Sequence, residues 1–427
     1  MNPIDTLAIN GGKPARQRPL PPNYPGATVM DEAEGKASSA VVRAQSPFRY
    51  YGPDVQHAVR HFENEMGREW SIPYVLGVSS GTAALIVAMK ALGIGIGDKV
   101  IVPAITFLAT PGAVVCCNAV PVFADVDDSL NLDAASLENV YDDEVKAIIV
   151  VPILGTPVDM DPIMSFARKH KLAVIEDIAQ SCGVKYKGNY AGTIGDIGAF
   201  SFQMNKLITS GEGGAIMTHS PELYERAVRY HDQGIMREKE RFGFPDVDEA
   251  ERAFVGQNYR MSELTGAILV EQWKKRSQMI TVMRDRKQQI VDELTRVLPS
   301  IRFRGVIDAA GDTGSSLGLL LPDAAHTQKA NDALHAEQIE SFILYGGQPV
   351  YKIPQIWRQR TADKHNFPFN YPYRRAVRYE DGMCPKAEDL VCRTLFIPIS
   401  PLLTEEDASQ IANGVVKVYK AYRIGTA

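Results

Sequence analysis

A change of period along the chain restricts its fold more than any single motif does. Between about residues 70 and 220, short β-branched runs alternate with stretches whose apolar residues recur every three or four positions, each bounded by Gly, Pro or Asp. That alternation marks βαβ units, in which helices cover both faces of a mostly parallel sheet. The predicted strands are "YVLGV", "KVIVP", "VPVFADV", "VKAIIVVP", "LAVIED", "GAFSF" and "GGAIMT", with helices such as "TAALIVAMKAL", "MDPIMSFARKH" and "SPELYERAVRYH" between them. After residue 220 the pattern becomes a long helical run over about 261–298, a Pro- and aromatic-rich stretch over 345–401, and a closing helix near 404–423. Residues 1–50, with "RPLPPNYPG", read as an extended arm, because prolines this dense resist regular helix. The expected division is an arm over 1–50, a large α/β domain over 51–275 and a smaller C-terminal domain over 276–427, within reach of a 427-residue chain.

Composition narrows the partners. A net charge of -5 gives no general attraction to nucleic acid or anionic membranes. The N-terminal stretch has no continuous apolar segment, and the most apolar run, "AIIVVPIL", is far too short to span a membrane, so the chain reads as cytoplasmic. Five cysteines without a CxxC pair suggest buried packing, not a disulfide framework. His57 and His61 stand four apart on a helical pattern but have no third ligand nearby, and no metal site is expected.

In an open α/β sheet, ligands settle beyond the carboxyl ends of the strands. Polar residues just past those ends are therefore the candidates. "LAVIEDIAQ" ends a strand on Glu176 and Asp177; "VSSGTAAL" places Ser79, Ser80, Gly81 and Thr82 where a strand meets a helix N-terminus, suited either to capping or to seating a phosphate. "PAITFLAT" presents Phe107, an aromatic that serves either a core or a flat ligand, and "SFQMNK" carries Ser201 and Lys206 into a glycine-dense turn. Taken together they are the parts needed for pyridoxal 5'-phosphate: a phosphate seat, a flat neighbour, an aspartate to keep the pyridine nitrogen protonated, and a lysine for the Schiff base.

At these residues the chain resembles the fold-type I pyridoxal phosphate enzymes of the DegT/DnrJ/StrS sugar aminotransferase group. The matching pieces are "VSSGTAAL", "GDKVIVPAITFLAT", "VIEDIAQSCG", "GTIGDIGAFSFQMNKLITSGEGGAIMT" and "VGQNYRMSELTGAI", with a weaker continuation, "CPKAEDLVCRTLFIPIS". The resemblance implies a large mixed, mostly parallel sheet between helices plus a smaller C-terminal α+β domain. It implies that Lys206 bonds covalently to the cofactor, Asp177 pairs with the pyridine nitrogen, Gln180 sits near the ring hydroxyl and Phe107 stacks on the ring. Gly81, Thr82 and Ser201 would be phosphate ligands. Asn258, in "GQNYRM", would reach the phosphate of a neighbouring subunit, so the resemblance also implies a homodimer with shared active sites.

Two glycine-rich stretches carry no site. "GIGIGDK" lacks GxGxxG spacing and precedes a strand, which makes it a helix stop. "GEGG" at 211–214 reads as a tight turn. One motif departs from the family: many relatives carry a His and an aromatic before the glycine that follows the fourth strand, where this chain has Ile153, Leu154 and Gly155.

The chemistry expected is transfer of an amino group, from glutamate or glutamine, to a keto or aldehyde carbon of a sugar or cyclitol. Two alternatives are a sugar dehydratase or deoxygenase on the same cofactor, in which a histidine commonly replaces the lysine, and an inactive regulator with this fold. Retention of Lys206 and Asp177 favours transamination. Seven basic residues between Lys352 and Arg378, together with Arg49 in "FRYYG", suggest an anionic acceptor. That arm loosely resembles the branch that aminates an octulosonate.

Overall fold

The computed structural model describes residues 6–237, 239–244 and 249–424. Seven strands form the main sheet: β1 (Tyr74–Val78), β2 (Lys99–Pro103), β3 (Val120–Ala124), β4 (Val145–Val150), β5 (Ala173–Asp177), β6 (Ile197–Ser201) and β7 (Gly214–Thr218). Their order is β1-β7-β6-β5-β4-β2-β3. The pairs β2/β3, β2/β4, β4/β5 and β5/β6 are parallel, whereas β7 runs antiparallel to both β1 and β6. Six strands therefore point one way, and their carboxyl ends share one edge.

The near-continuous apolar strands follow from a sheet buried on both faces. Successive side chains alternate between faces. Val100, Val102, Ile149 and Ile175 pack with α3 (Gly81–Ala91) and α6 (Pro221–His231). On the other face, Ile101, Ile148 and Val174 meet Ile163 and Phe166 of α5 (Met160–His170). Farther along that face Val75, Phe200 and Ala215 pack on Phe62 and Met66 of α2 (Ala58–Trp70) and on Trp273 of α7 (Glu263–Val297). Between β2 and β3 runs α4 (Ala109–Cys116).

Helix α7, 35 residues long, continues through residue 275 without interruption. Its first half contributes Leu269 and Trp273 to the core beneath the large sheet, and its second half contributes Met283, Ile290 and Leu294 to a separate core. That second core lies on a three-stranded antiparallel sheet, β8 (Ser316–Leu320), β9 (Phe342–Ile343) and β10 (Thr394–Pro398), ordered β8-β10-β9. Leu334 of α8 (Ala324–Ala336) and Ile411 and Val415 of α10 (Glu405–Tyr422) complete it. Between these helices, α9 (Pro385–Arg393) leads into β10.

The N-terminal segment is more structured than its proline content suggests. Beyond Pro25, Asp31 and Glu34 form a capping box that starts α1 (Glu32–Arg43). Glu34 then pairs with Lys275 of α7, with Nζ 2.7 Å from Oε1. No helix among the described residues is long and apolar enough to cross a membrane.

Candidate active site

A cavity of about 870 Å³ opens at the common carboxyl edge of the sheet. Gly81, Thr82, Phe107, Asp177, Gln180, Ser201 and Lys206 all line it. They come from the ends of four strands, β1, β2, β5 and β6, and meet because those strands run the same way.

Asp177 ends β5 and is 4% exposed. Its Oδ2 accepts a hydrogen bond from Thr110 Oγ1 at 2.8 Å, and its Oδ1 accepts one from the Ala179 N–H at 3.2 Å. Burial raises the carboxyl pKa above its ordinary value, although Thr110, Ala179 and the charge of Lys206 pull the other way. Its neighbour Glu176 faces the opposite side of the sheet, where the N–H groups of Gly192, Ile194 and Gly195 donate to it at 2.7–2.8 Å. Strand alternation thus separates two adjacent acids, one clamping a loop and one facing the cavity.

Past β1, Ser80 caps α3, its Oγ accepting from the Ala83 N–H at 3.1 Å. The preceding N–H groups, of Gly81 and Thr82, stand at the positive end of the helix with no intrahelical partner. Opposite them, Ser201 ends β6, and a Cβ added to Gly81 would fall 2.6 Å from the Ser201 Cβ. Gly214 pairs with both Val78 and Ser201, and a Cβ there would come within 2.3 Å of the Ser80 carbonyl oxygen. The glycines therefore keep a narrow cradle open, with amide donors on one wall and a hydroxyl on the other. That is the donor set a phosphate monoester takes.

Lys206 follows β6 in an irregular turn. Its N–H donates to the Gln203 carbonyl at 2.9 Å, and its own carbonyl accepts from the Gly26 N–H at 3.1 Å. Burial lowers the ammonium pKa, partly offset by the charge of Asp177. Phe107 is 58% exposed, so it is a wall of the cavity and not a core aromatic. Its ring centre lies 6.4 Å from that of Tyr345, whose hydroxyl accepts a hydrogen bond from Gln180 Nε2 at 2.9 Å.

A buried carboxylate with one hydroxyl and one amide donor retains unused lone pairs and favours a cation beside it. With the cradle, the amine and the aromatic wall, the residues present fit pyridoxal phosphate.

Asn258 is not among the residues lining this cavity. It is exposed, its backbone bridges to Asp232, and its side-chain oxygen accepts from the Arg260 N–H at 3.4 Å. Arg49 corrects an expectation: the guanidinium points inward, 2.8 Å from Glu63 Oε1 and 3.1 Å from the Gly77 carbonyl, so it is a structural ion pair and not an anion receptor. None of the seven basic residues between 352 and 378 lines the cavity either. Lys352 is held by Asp381 and Glu388, and Arg375 donates to the Asn139 carbonyl.

Several residues at the site were not legible as motifs. Thr110 lies one helical turn past Phe107, and only the fold shows that its hydroxyl meets Asp177. Tyr345 arrives just past β9 with φ +51°, ahead of Gly346 and Gly347, whose dipeptide is the sole local hint. Leu154 also lines the cavity in a left-handed conformation (φ +48°). Its carbonyl accepts from the Ser315 and Ser316 hydroxyls at 3.1 and 3.2 Å, and buried Arg304 donates to the Ile153 carbonyl at 3.1 Å. Among the described residues no group of three or more His, Cys, Asp or Glu is placed to hold a metal ion.

Residues 45–416 match the model of the DegT/DnrJ/EryC1/StrS aminotransferase family. The L-glutamine:2-deoxy-scyllo-inosose aminotransferase of Micromonospora echinospora is 36% identical over 430 residues, covering 98% of this chain and 98% of that protein. The GDP-perosamine synthase of Escherichia coli O157:H7 is 31% identical over 366 residues, covering 84% of this chain and 90% of that protein. Among solved structures, an aminotransferase from Psychrobacter cryohalolentis superposes with a TM-score of 0.78 at 28% identity, over 95% of this chain and 100% of that one.

Proposed function

The chain belongs to the DegT/DnrJ/EryC1/StrS aminotransferase family, and from that membership we propose that it transfers an amino group from glutamate or glutamine to a keto or aldehyde carbon of a sugar or cyclitol, using pyridoxal phosphate. The observation carrying this reading is the meeting of Lys206 with buried Asp177 at the carboxyl edge of the sheet, beside a cradle for phosphate.

Pyridoxal phosphate supplies an aldehyde that bonds to amines and a ring that accepts an electron pair. The rest falls to this chain's residues. The N–H groups of Gly81 and Thr82, with the Ser201 hydroxyl, would hold the phosphate, Phe107 would cover the ring and Gln180 would reach its hydroxyl. Asp177 would keep the pyridine nitrogen protonated, since a carboxylate in a dry site stabilises a cation strongly. Lys206 Nζ is the amine that would bond to the aldehyde. Once free, it takes the proton from the donor's α-carbon, a task helped by a lowered pKa that enlarges the neutral fraction. In the second half-reaction the same nitrogen returns a proton to the aminated carbon. Asn258, exposed and outside its own chain's cavity, fits a role across a homodimer interface.

Full-length relatives acting on a cyclitol and on a nucleotide-linked sugar both support this acceptor class. The decisive experiment reduces the pyridoxal phosphate-loaded protein with borohydride and maps the adduct by mass spectrometry. A visible absorbance band that bleaches on reduction, disappears on adding glutamate or glutamine and returns with a keto sugar is expected, with the adduct on Lys206. An adduct on another residue, or none, refutes the reading. Mixing Lys206→Ala with Asn258→Ala subunits should restore part of the activity that each homodimer lacks; no recovery removes the shared site.

A further inference from the structure

Lys206 lies in a segment, residues 202–213, that has no helix or strand to fix it. Bonds within the loop, such as Met204 N–H to the Gly211 carbonyl at 3.0 Å, shape it, and bonds to elements elsewhere hold it in place. Two of these converge on one place. The Gly26 N–H of the N-terminal arm donates to the Lys206 carbonyl at 3.1 Å, and the Thr209 N–H donates to Gln272 Oε1 of α7 at 3.2 Å. Gln272 is completely buried, and its Nε2 donates to Glu34 Oε1 of α1 at 2.7 Å. The amide orientation is fixed by chemistry, because an N–H can only donate and a carboxylate can only accept. Glu34 is ionised despite its burial: Lys275, the Asp31 N–H and Gln272 together hold its pKa below the ordinary value.

The three elements are also in steric contact. A Cβ on Gly26 would lie 2.9 Å from the Leu207 carbonyl oxygen, 3.0 Å from Gln272 Oε1 and 3.0 Å from the Ile208 Cα. The arm thus rests directly on the backbone that carries the lysine, and Gln272 joins both to α7.

We propose that Gln272 and Gly26 are positioning residues for Lys206, and that the N-terminal arm is the strap that holds this lysine in its desolvated place. Arm, loop and α7 act as one unit: Glu34 orients the Gln272 amide, the amide fixes Thr209, and Gly26 fixes Lys206 itself. The hydration of the amine, and so its reactivity, depends on a segment more than 170 residues away in sequence, as the separation of Gly26 and Lys206 shows (206 minus 26).

The test uses full-length apoprotein and does not depend on the cofactor reading. Trace acylation with acetic anhydride across a pH series, read by mass spectrometry on the peptide containing Lys206, gives the titration of that amine alone. Gln272→Leu removes both amide bonds, and Gly26→Ala forces the arm off the loop. Each is expected to raise the Lys206 midpoint by about one pH unit toward that of a hydrated lysine, a fraction of the shift full burial can cause. A merely structural role would lower stability without moving that midpoint. If Gln272→Leu fails to fold, Gly26→Ala carries the measurement. An unchanged midpoint in a folded variant overturns the proposal. Failure of borohydride to trap Lys206 in wild type would sink the cofactor reading and leave this result standing.

Discussion

Replacing Thr110 by valine removes one hydroxyl from the floor of the cavity and keeps the side chain's shape. Thr110 Oγ1 has a single proton, given to Asp177 Oδ2 at 2.8 Å, so the Thr106 hydroxyl 2.7 Å away must donate to Thr110. The relay runs toward the carboxylate and stabilises its charge. A hydrogen bond to a charged group contributes about 1.5–3 kcal/mol, and one pKa unit corresponds to about 1.4 kcal/mol, so Thr110→Val should raise the Asp177 pKa by about 1–2 units. The folded pKa of Asp177 already exceeds its ordinary value of 3.8 because of burial. Folded apoprotein keeps that proton to higher pH than the unfolded chain does. Its stability therefore falls as pH rises from 3.8 through the folded pKa, and the valine variant extends that decline upward. Urea unfolding of both apoproteins should show a difference that is small in acid and grows to about 1.5–3 kcal/mol once Asp177 is ionised in both. In the loaded enzyme the acid limb of cofactor retention should move to higher pH by the same 1–2 units, about the shift worked out for the carboxyl. A stability difference independent of pH would refute the assignment of Thr110 to the carboxylate's charge.

Three further outcomes are expected. Lys206→Met should stabilise the apoprotein near neutral pH, because burial lowers the lysine pKa and penalises its ammonium form; in wild type that penalty fades as pH rises from the folded value to 10.5, so thermal melts should converge above it. Gly81→Ala should cost about 1–3 kcal/mol by driving a methyl into Ser201; the double variant with Ser201→Gly should recover the unfolding free energy but not the pyridoxal phosphate affinity measured by dialysis titration. Asp312→Asn should cost about 3–5 kcal/mol in denaturant unfolding. It strips the counter-charge from Lys287, 2.9 Å away, and from buried Arg304, whose pKa burial has lowered to about 10.

Much of the seven-stranded sheet could be read directly because its signals are local. All seven predicted runs are strands of one sheet, with ends that agree to within two residues. The "MDPIMSFARKH" helix runs from Met160 to His170 as its apolar spacing indicates. The arm was less legible: a count of prolines describes residues up to Pro25 but misses the capping box at Asp31 that starts a helix beyond them. Arg49 misled for a related reason. Nothing in "FRYYG" fixes its direction, and the group that decides it is Glu63, fourteen residues on and fully inside.

The sequence alone determined the alternating elements and the chemical parts: a lysine in a turn, an aspartate ending a strand, a serine-capped helix start. Those depend on spacing within a few residues, which the chain states openly. Only the tertiary structure decided that β7 runs against its neighbours, that Thr110 supports Asp177 while Glu176 turns away, and that the arm seats on the Lys206 loop through Gln272. Such pairings arise from burial between distant segments, where the cost of an unmatched polar group selects the partner and no local pattern records the choice.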